Sequence, residues 1–466
     1  MGHEPVPVAK GSADSVGVRA RLSLHERPWY PGYVLFVLLL AYIFSFIDRQ
    51  ILSLMVGPIR RDLQISDFEM SLLQGWAFAL FYSVMALPIA RLADRYDRRS
   101  IIATGIALWS AMTVGCGVVR GYMGLFLMRV GVGVGEAALS PPAYSLLSDY
   151  FPPERLGRAM AIFALGISVG GGAAYLIGGA VVHLVSEAEP VLLPLIGTVR
   201  PWQITFFVVG LPGLVVALMM RGIREPERRG GLMDADGEVR QLSLAQLWRY
   251  LADRWRLYLS FPLATALLGV FSYGLMAWYP TVLIRTYGMT IAEAGTWFGL
   301  TYLVFGTAGT YSGARMAEWL ERRGHRDAHI RFIMLAAIVM TLPGVLGPLM
   351  PTAPLALAAL APTIFLKCSY YGSSSAAMQI VTPNQMRAQV TALQIFFGNI
   401  IGMSVGASSI AALTDFVFQD DAAVRYSLAW VTAVACPAGA LVLWSCLRPY
   451  VAALDEAARR PQQGGG

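Results

Sequence analysis

Long apolar segments separated by short arginine-rich loops recur along the whole chain, and this pattern constrains the fold more than any other feature. An apolar helix of about 20 residues crosses the hydrocarbon core of a bilayer, since each residue adds about 1.5 Å of length. Of the 466 residues, 56% are hydrophobic and only 14% are charged, whereas soluble domains carry about 25% charged residues. The sequence therefore predicts a multi-span membrane protein and argues against a cytosolic enzyme, a disordered protein or a small secreted module.

Hydropathy predicts an all-α integral membrane protein with twelve transmembrane helices in two six-helix bundles. The bundles cover residues 30–220 and 257–448, a linker (221–256) joins them, and tails of 1–29 and 449–466 flank them. The predicted spans, numbered 1 to 12 below, are 30–58, 68–90, 100–119, 123–148, 159–184, 202–220, 257–284, 292–314, 332–350, 354–380, 389–413 and 426–447.

The basic residues predict the orientation. Most of the 36 Lys and Arg residues fall on the side of the two termini, which the positive-inside rule makes cytoplasmic. A few arginines, among them Arg60 and Arg285, fall on the opposite side. We expect a multi-pass protein of the bacterial inner membrane with both termini in the cytoplasm. The net charge of +7 reflects this topology, so no nucleic-acid partner is expected.

No sequence pattern indicates a metal, a cofactor or a catalytic centre. The chain contains no HExxH motif and no CxxC pair, and its four cysteines lie inside apolar segments. We therefore expect no enzymatic activity and no resident cofactor or metal. Nothing indicates an oligomer or a partner protein, and a monomer is expected.

The two halves contain related loops. RLADRYDRRS (91–100) follows span 2 and GARMAEWLERRG (313–324) follows span 8. Similarly, DYFPPERLGRAM (149–160) follows span 4 and VTPNQMRAQVTA (381–392) follows span 10. Related halves around a cavity at the membrane midplane are typical of secondary transporters, so transport is the leading prediction.

Three motifs carry a resemblance to a known family. The loop Asp94-Arg95-Tyr96-Asp97-Arg98-Arg99 resembles the signature loop of the major facilitator superfamily, although Ala90 and Asp97 stand where that pattern has glycine. The span 4 segment RVGVGVGEA (129–137) resembles the arginine- and glycine-rich motif of the same superfamily. Four features are similar to the spinster family in particular. They are the Gly-Glu-Ala ending of the span 4 segment, the prolines at 141–142, DYFPPER (149–155) and FIDRQ (46–50).

The resemblance, which extends over residues 30–448, implies the major facilitator fold, with spans 1, 4, 7 and 10 around a cavity. Spinster proteins are implicated in moving lysolipids and sphingosine-1-phosphate. The resemblance therefore implies a small amphiphilic, anionic substrate and contact with membrane lipids.

Five charged residues fall inside predicted spans, where each costs at least about 2.5 to 3.5 kcal/mol unless it is paired or faces a cavity. They are Asp48, Arg49, Arg129, Glu136 and Lys367. A rise of about 1.5 Å per residue places Asp48 roughly 15 Å deep, between the depths of Arg129 (about 9 Å) and Glu136 (about 20 Å). Arg129 and Glu136 are two turns apart and share one helix face.

Each of these charges has a functional and a structural interpretation. Asp48 is predicted to be a protonation site, with a static structural ion pair as the alternative. Arg129 is predicted to pair with Asp48 and to bind the substrate anion, with a purely structural role as the alternative. Glu136 is predicted to be a second proton site, or a hydrogen-bond acceptor that stabilises helix packing. Lys367, with Tyr370 and Tyr371, holds a headgroup or neutralises a carboxylate. Arg49 is predicted to bind substrate, with extension of its side chain toward the membrane interface as the alternative. The alternative arises because neighbouring residues on a helix point about 100° apart, so Arg49 does not share the face of Asp48.

Two further sets of residues complete the predicted site. Asp94, Arg95, Arg98 and Arg99 are predicted to form a cytoplasmic latch between the halves, with topology signalling as the alternative. The glycines at 131, 133 and 135 are predicted to allow close helix packing rather than to bind a nucleotide. The predicted cavity wall consists of Tyr42, Phe46, Phe271, Tyr273 and Trp278, where Trp278 could also gate the cavity or anchor the helix at the interface.

Together these features predict alternating access coupled to protons. Protonation of Asp48 would leave Arg129 without a counter-charge, and the substrate anion would supply one. Two other classes stay open. A carrier of a soluble organic anion or other small metabolite would ignore lipids, and a membrane scaffold or receptor would show no flux.

Overall fold

A computed structural model describes residues 29–186, 191–193, 197–228, 244–383 and 386–459. Most of the predicted N-terminal tail, the middle of the predicted linker and the end of the C-terminal tail lie outside the described residues. Eleven helices within this part of the chain are long and apolar enough to cross a membrane. The remaining predicted span, span 8, forms the helical stretch from Ile291 to Arg322. Its many glycine and threonine residues lower its hydropathy.

In the first half, spans 2 and 4 are each broken into two helices. A short helix, Val56–Leu63, lies between spans 1 and 2. The spans consist of Tyr30–Leu54 (span 1), Asp67–Gln74 with Trp76–Arg95 (span 2), Arg98–Cys116 (span 3), Tyr122–Glu136 with Ser140–Tyr150 (span 4), Pro153–Ser186 (span 5) and Pro201–Arg221 (span 6). Before span 6, strands Val191–Leu193 and Gly197–Val199 pair in an antiparallel hairpin that the hydropathy pattern does not predict.

The second half repeats the pattern, with π-helical turns in spans 8 and 11. Its helices are Leu244–Asp253, Trp255–Tyr258, Ser260–Tyr287 (span 7), Ile291–Thr301, Tyr302–Gly306 and Thr307–Arg322 (span 8), Ala328–Leu346 and Gly347–Leu349 (span 9), Ala353–Val381 (span 10), Arg387–Phe397, Gly398–Val405, Gly406–Ala412 and Leu413–Phe418 (span 11), Asp421–Ala423, and Val424–Arg459 (span 12). The helices Leu244–Asp253 and Trp255–Tyr258 therefore begin within the predicted linker, and Val424–Arg459 extends into the predicted tail.

The same capping device begins span 2 and span 8, which occupy equivalent positions in the two halves. The hydroxyl of Ser66 accepts from the backbone nitrogen of Glu69 (3.1 Å), and the carboxylate of Glu69 accepts from the nitrogen of Ser66. Thr290 and Glu293 form the same reciprocal pair, at 3.2 Å and 2.9 Å. Such a capping box satisfies backbone donors that a helix end leaves free. The internal repeat seen in the loops is thus also present in local structure.

Glycines bring the two halves into backbone contact along spans 5 and 8. A β-carbon added to Gly299 would lie 2.9 Å from the carbonyl oxygen of Gly172, and one added to Gly295 would lie 2.8 Å from that of Tyr175. Within the first half, a β-carbon on Gly133 would lie 2.6 Å from the carbonyl oxygen of Phe78. The structure therefore agrees with the packing interpretation of these glycines.

Ion pairs connect the halves on one side of the molecule. We call the side bearing residues 29 and 459 the terminal side and the opposite side the far side. The ion pairs described between the halves, Arg60–Asp421 and Arg285–Asp67, lie on the far side. None of those described on the terminal side, such as Arg98–Glu225 and Arg326–Asp455, joins the two halves. The described ion pairs between the halves are therefore confined to the far side.

We predict that Gly299→Ala lowers stability by about 1 to 3 kcal/mol, because the added carbon overpacks the contact between the halves. Thermal unfolding in detergent measures the effect. The control is Gly157→Ala, where an added β-carbon meets no atom within 4 Å and should leave the melting temperature unchanged or slightly raised. Equal melting temperatures for the two variants would contradict the packing role of Gly299.

Candidate functional site

The four charges of the first half come together deep in the bundle through spans 1 and 4. Arg49 donates from Nη2 to Oε2 of Glu136 at 2.5 Å, and the hydroxyl of Ser45 donates to the same oxygen at 2.8 Å. The guanidinium of Arg49 also lies over the ring of Phe78, 4.4 Å from its centroid. Arg49 therefore points into the bundle, and the interpretation that it extends toward the interface is wrong.

Asp48 and Arg129 are adjacent, but they do not form the predicted side-chain ion pair. Arg129 donates from Nη1 to the backbone carbonyl of Asp48 at 3.0 Å, and each residue is only 1% exposed. Within the described residues, Oδ1 of Asp48 and Nε and Nη2 of Arg129 have no hydrogen-bond partner. The predicted neighbours are correct and the predicted pairing is wrong, because helix rotation decides which atoms of two adjacent residues meet.

The acidic members of this cluster are incompletely satisfied. Besides Oδ1 of Asp48, Oε1 of Glu136 is buried without a hydrogen-bond partner in the described part of the chain. An unpaired buried carboxylate oxygen is costly, and a bound proton reduces that cost by removing the charge. The cluster is therefore chemically suited to exchange protons.

Lys367 lies in the second half, 8% exposed, between spans 7, 8 and 10. Its Nζ lies 3.2 Å from Sδ of Met276 and 3.2 Å from the hydroxyl of Tyr302, and 4.7 Å above the ring of Tyr302. None of the described ion pairs includes Lys367. The interpretation in which it neutralises a carboxylate is therefore wrong in this structure.

Tyrosines from both halves line the central space. Tyr371 of span 10 is 59% exposed, and Tyr144 of span 4 is 38% exposed. The phenol of Tyr371 nevertheless lies within electrostatic range of Tyr144, Tyr82 and Arg49 of the first half. Tyr371 therefore faces the first half across the central space. Tyr370, by contrast, is buried and does not share this position.

The structure contradicts the predicted cavity wall at two of its five residues. Phe271 is buried beside Gly344, and Trp278 is buried and donates from Nε1 to the carbonyl of Ala407 at 2.9 Å. Both residues pack inside the second half, so neither lines the cavity, and Trp278 is not an interface anchor. Tyr42 stacks on Phe163 (4.9 Å between centroids) and meets Phe46 edge-on, and Tyr273 lines a small cavity between the halves.

The loop after span 2 anchors the beginning of the linker to the first half. Arg98 is buried and donates to Asp149 (2.5 Å) and Glu225 (2.6 Å), while Arg99 donates to the carbonyl of Ile223 at 2.6 Å. Arg228 in turn donates to the carbonyls of residues 93, 94 and 96. These partners lie in the first half or at the beginning of the linker, and none belongs to the second half, whereas Arg95 lies exposed. A latch to the second half formed by Asp94, Arg95, Arg98 and Arg99 stays a prediction for another conformation.

A second charge cluster, which the sequence reasoning missed, closes the far side. Arg285 donates from both Nη atoms to the carboxylate of Asp67, at 2.6 Å and 2.8 Å. Arg60 contacts Asp67 (3.0 Å) and Asp421 (2.7 Å), and the backbone nitrogen of Phe68 donates to Asp415 at 2.6 Å. We call Arg60, Asp67, Arg285 and Asp421 the far-side cluster. It joins spans 2, 7 and 12 and therefore both halves.

The charge of Arg60 illustrates how this cluster is balanced. Burial alone would lower the pKa of Arg60, but the hydrogen bond to Asp421 and the carboxylates of Asp67 and Asp415 outweigh it, so the pKa is raised. A signal for the cluster was present in the sequence. Arg60 and Arg285 lie on the side where the positive-inside rule does not place arginine.

Comparisons with known proteins agree with this architecture. The sequence profile of the Major Facilitator Superfamily matches residues 38–407. The chain is 28% identical over 429 residues to an MFS-type efflux pump of Mycolicibacterium smegmatis, covering 91% of this chain and 94% of that protein. It is 25% identical to a probable L-galactonate transporter of Escherichia coli, covering 84% of each chain.

Spinster proteins are also among the relatives. Human protein spinster homolog 1 is 31% identical over 259 residues, which cover 54% of this chain and 46% of that protein. The fold matches the crystal structure of a bacterial homolog of the human lysosomal transporter spinster in an inward-facing, unoccupied conformation. That match has a TM-score of 0.74 at 24% identity and covers 94% of this chain and 100% of the other.

We predict that Asp67→Asn increases the population open on the far side, because it removes the charge that pairs with both Arg60 and Arg285. Breaking a buried ion pair costs about 3 to 5 kcal/mol. Electron–electron double resonance between spin labels at positions 61 and 352 should show a new, longer distance.

The control for this prediction is Glu293→Gln. Glu293 is also acidic and on the far side, but its described hydrogen bonds are to Thr290 of its own half. A distance distribution that is the same in Asp67→Asn and the unsubstituted protein would show that the far-side cluster does not hold the halves together.

Proposed function

The chain belongs to the Major Facilitator Superfamily, and we propose that it is a proton-coupled transporter of an amphiphilic anion of the lysolipid or sphingoid-phosphate class. Transport proceeds by alternating access, in which the two halves rock about a substrate held between them. The buried charge cluster of Asp48, Arg49, Arg129 and Glu136 carries this proposal.

Proton coupling follows from the charge balance of that cluster. Two carboxylates and two guanidiniums balance when all four are ionised. Protonation of Asp48 or Glu136 leaves one excess positive charge in a medium where uncompensated charge is expensive. An anionic substrate group that reaches the cluster restores the balance, so proton and substrate binding are energetically linked.

Arg49, rather than Arg129, is the group that the substrate anion contacts. The side chain of Arg49 is 14% exposed and lines the small cavity between the halves, whereas Arg129 is 1% exposed and bonded to a backbone carbonyl. Arg129 then acts on substrate only through the charge balance. The sequence suggested substrate binding for both arginines, and this proposal keeps direct contact for Arg49 alone.

Lys367 provides the second contact for the anion, from the other half. Met276 lines the same small cavity as Arg49 and touches Nζ of Lys367. An anionic group that displaces Met276 would bridge a guanidinium of the first half and an ammonium of the second. Such a bridge favours the state in which the halves close around the substrate.

The phenol-lined space supports the amphiphilic part of the proposal. Tyr82, Tyr144 and Tyr371 present aromatic faces with polar edges between the halves. Aromatic rings of this kind accept apolar chains while their hydroxyls stay hydrogen-bonded. An acyl or sphingoid chain fits this wall, with its headgroup at Arg49 and Lys367.

A soluble organic anion is the second candidate, and a specific observation favours it. Gln50, Ser53 and Gln74 add neutral polar groups beside Arg49, which suits a hydroxylated acid. The probable L-galactonate transporter of Escherichia coli among the relatives points to the same class. A scaffold without flux has no comparable observation in its favour.

We predict that Asp48→Asn abolishes pH-driven uptake of lysophosphatidate into proteoliposomes, because asparagine cannot exchange a proton. The control is Glu318→Gln, which removes an exposed acid paired only at 3.6 Å with Arg322 and should leave uptake unchanged. Uptake that still follows the pH gradient in Asp48→Asn would remove Asp48 from the coupling mechanism.

We also predict that lysolipids raise the melting temperature of the protein more than soluble anions do, since ligands that bind the folded state stabilise it. A thermal-shift panel of lysolipids, fatty acids and aldarates measures this. Arg49→Gln and Lys367→Gln should each weaken binding by about 10- to 100-fold, as expected for a charged hydrogen bond. Stabilisation by aldarates alone would favour the second candidate.

A further inference from the structure

The small cavity between the halves combines polar groups of the first half with apolar groups of the second. It has a volume of about 20 Å³, and its lining includes Arg49, Gln50, Ser53, Gln74, Tyr273 and Met276. This volume suffices for one water-sized group. The cavity therefore admits a hydroxyl or a carbonyl oxygen, but not a chain.

Gln74 is the one glutamine of this lining whose side chain has no hydrogen-bond partner among the described residues. It is 8% exposed, and both its Nε2 and its Oε1 are buried and unpaired. Gln50, in contrast, accepts at Oε1 from the hydroxyl of Tyr175 at 2.9 Å. A carboxamide offers two donors and an acceptor, and burying them unpaired destabilises the protein.

The local structure of span 2 explains how Gln74 is held in this position. Gln74 ends the helix Asp67–Gln74, and Gly75 interrupts span 2 before Trp76. A β-carbon on Gly75 would lie 3.0 Å from the carbonyl oxygen of Met403. The backbones of spans 2 and 11 therefore touch beside Gln74, which fixes its amide at the contact between the halves.

We propose that Gln74 is the hydrogen-bonding group of a polar subsite that recognises a neutral hydroxyl or carbonyl adjacent to the anionic group of the substrate. The proposal rests on the proposed function, because Arg49 on the same cavity wall is the group assigned to the anion. The neutral group of the substrate forms a hydrogen bond with the amide of Gln74. Without substrate, this amide stays unpaired, which destabilises the protein but keeps the subsite free for the ligand.

The placement limits the chemistry of the substrate. A hydroxyl or carbonyl must lie within one or two bonds of the carbon that bears the phosphate or carboxylate, because Arg49 and Gln74 line a cavity of only about 20 Å³. Lysophosphatidate and aldarates both satisfy this condition. Simple fatty acids and dicarboxylates without hydroxyls do not.

The test compares two ligand pairs in the full-length protein by isothermal titration. One pair is lysophosphatidate and the propanediol phosphate ester that lacks only its hydroxyl; the other is glucarate and adipate. The unsubstituted protein should prefer the hydroxylated member by about fivefold or more, the value of one neutral hydrogen bond. Gln74→Leu should lose that preference, while binding of the deoxy member changes little.

A matched control distinguishes recognition from folding. Gln203 is equally buried, but its Nε2 donates to Val119 and its Oε1 accepts from the nitrogen of Arg200, both at 2.9 Å. Gln203→Leu should lower the melting temperature and retain the preference for the hydroxylated ligand. Gln74→Leu should keep or raise the melting temperature, since leucine removes unpaired polar atoms.

Two results would overturn the subsite. One is an undiminished preference for the hydroxylated ligand in Gln74→Leu. The other is a loss of stability in Gln74→Leu as large as that in Gln203→Leu, which would make Gln74 structural. If neither ligand pair binds the unsubstituted protein, the proposed substrate classes fail, and the melting temperatures still decide whether Gln74 is structural.

Discussion

The contact between Arg49 and Glu136 is the interaction on which the arrangement of the first half depends. It joins spans 1 and 4 by a charged hydrogen bond of 2.5 Å deep in the bundle. Ionised groups at this depth are stable only when they are paired, hydrogen-bonded or in contact with water. The pair therefore fixes the rotation of both helices and leaves Asp48 and Arg129 side by side but incompletely satisfied. Those unpaired atoms are what makes a proton or an anion able to change the energy of the cluster.

The two charge clusters lie at different depths of the membrane-spanning part, one at the far side and one deep in the bundle, and they differ in kind. The far-side cluster joins the halves, with Asp67 bound by Arg60 and Arg285. The cluster around Asp48 lies within the first half and faces the space between the halves through Arg49. A transporter that closes one side and opens the other needs both elements. One must stabilise a closed gate, and one must change its charge when substrate or a proton arrives.

Close glycine packing marks the contact between the halves at spans 5 and 8. At Gly172 and Gly299 the two helix backbones approach each other, and the side chains of Leu303 and Leu176 pack against the glycines. Small residues at a helix contact allow such a close approach. The polar cavity at Gln74 lies near the equivalent contact between spans 2 and 11, so it is placed where rocking of the halves would change its shape.

The sequence by itself determined the class of protein, the spans, the internal repeat and the identity of the intramembrane charges. These follow from hydropathy and from the high cost of a charge in hydrocarbon, which depend on residue type alone. Only the tertiary structure decided the partners: Glu136 for Arg49, a backbone carbonyl for Arg129, and no carboxylate for Lys367 among the described residues. It also revealed the far-side cluster and the unpaired amide of Gln74. Partners depend on how helices rotate and pack, and shifts of a few ångströms in that packing have no counterpart in a linear pattern.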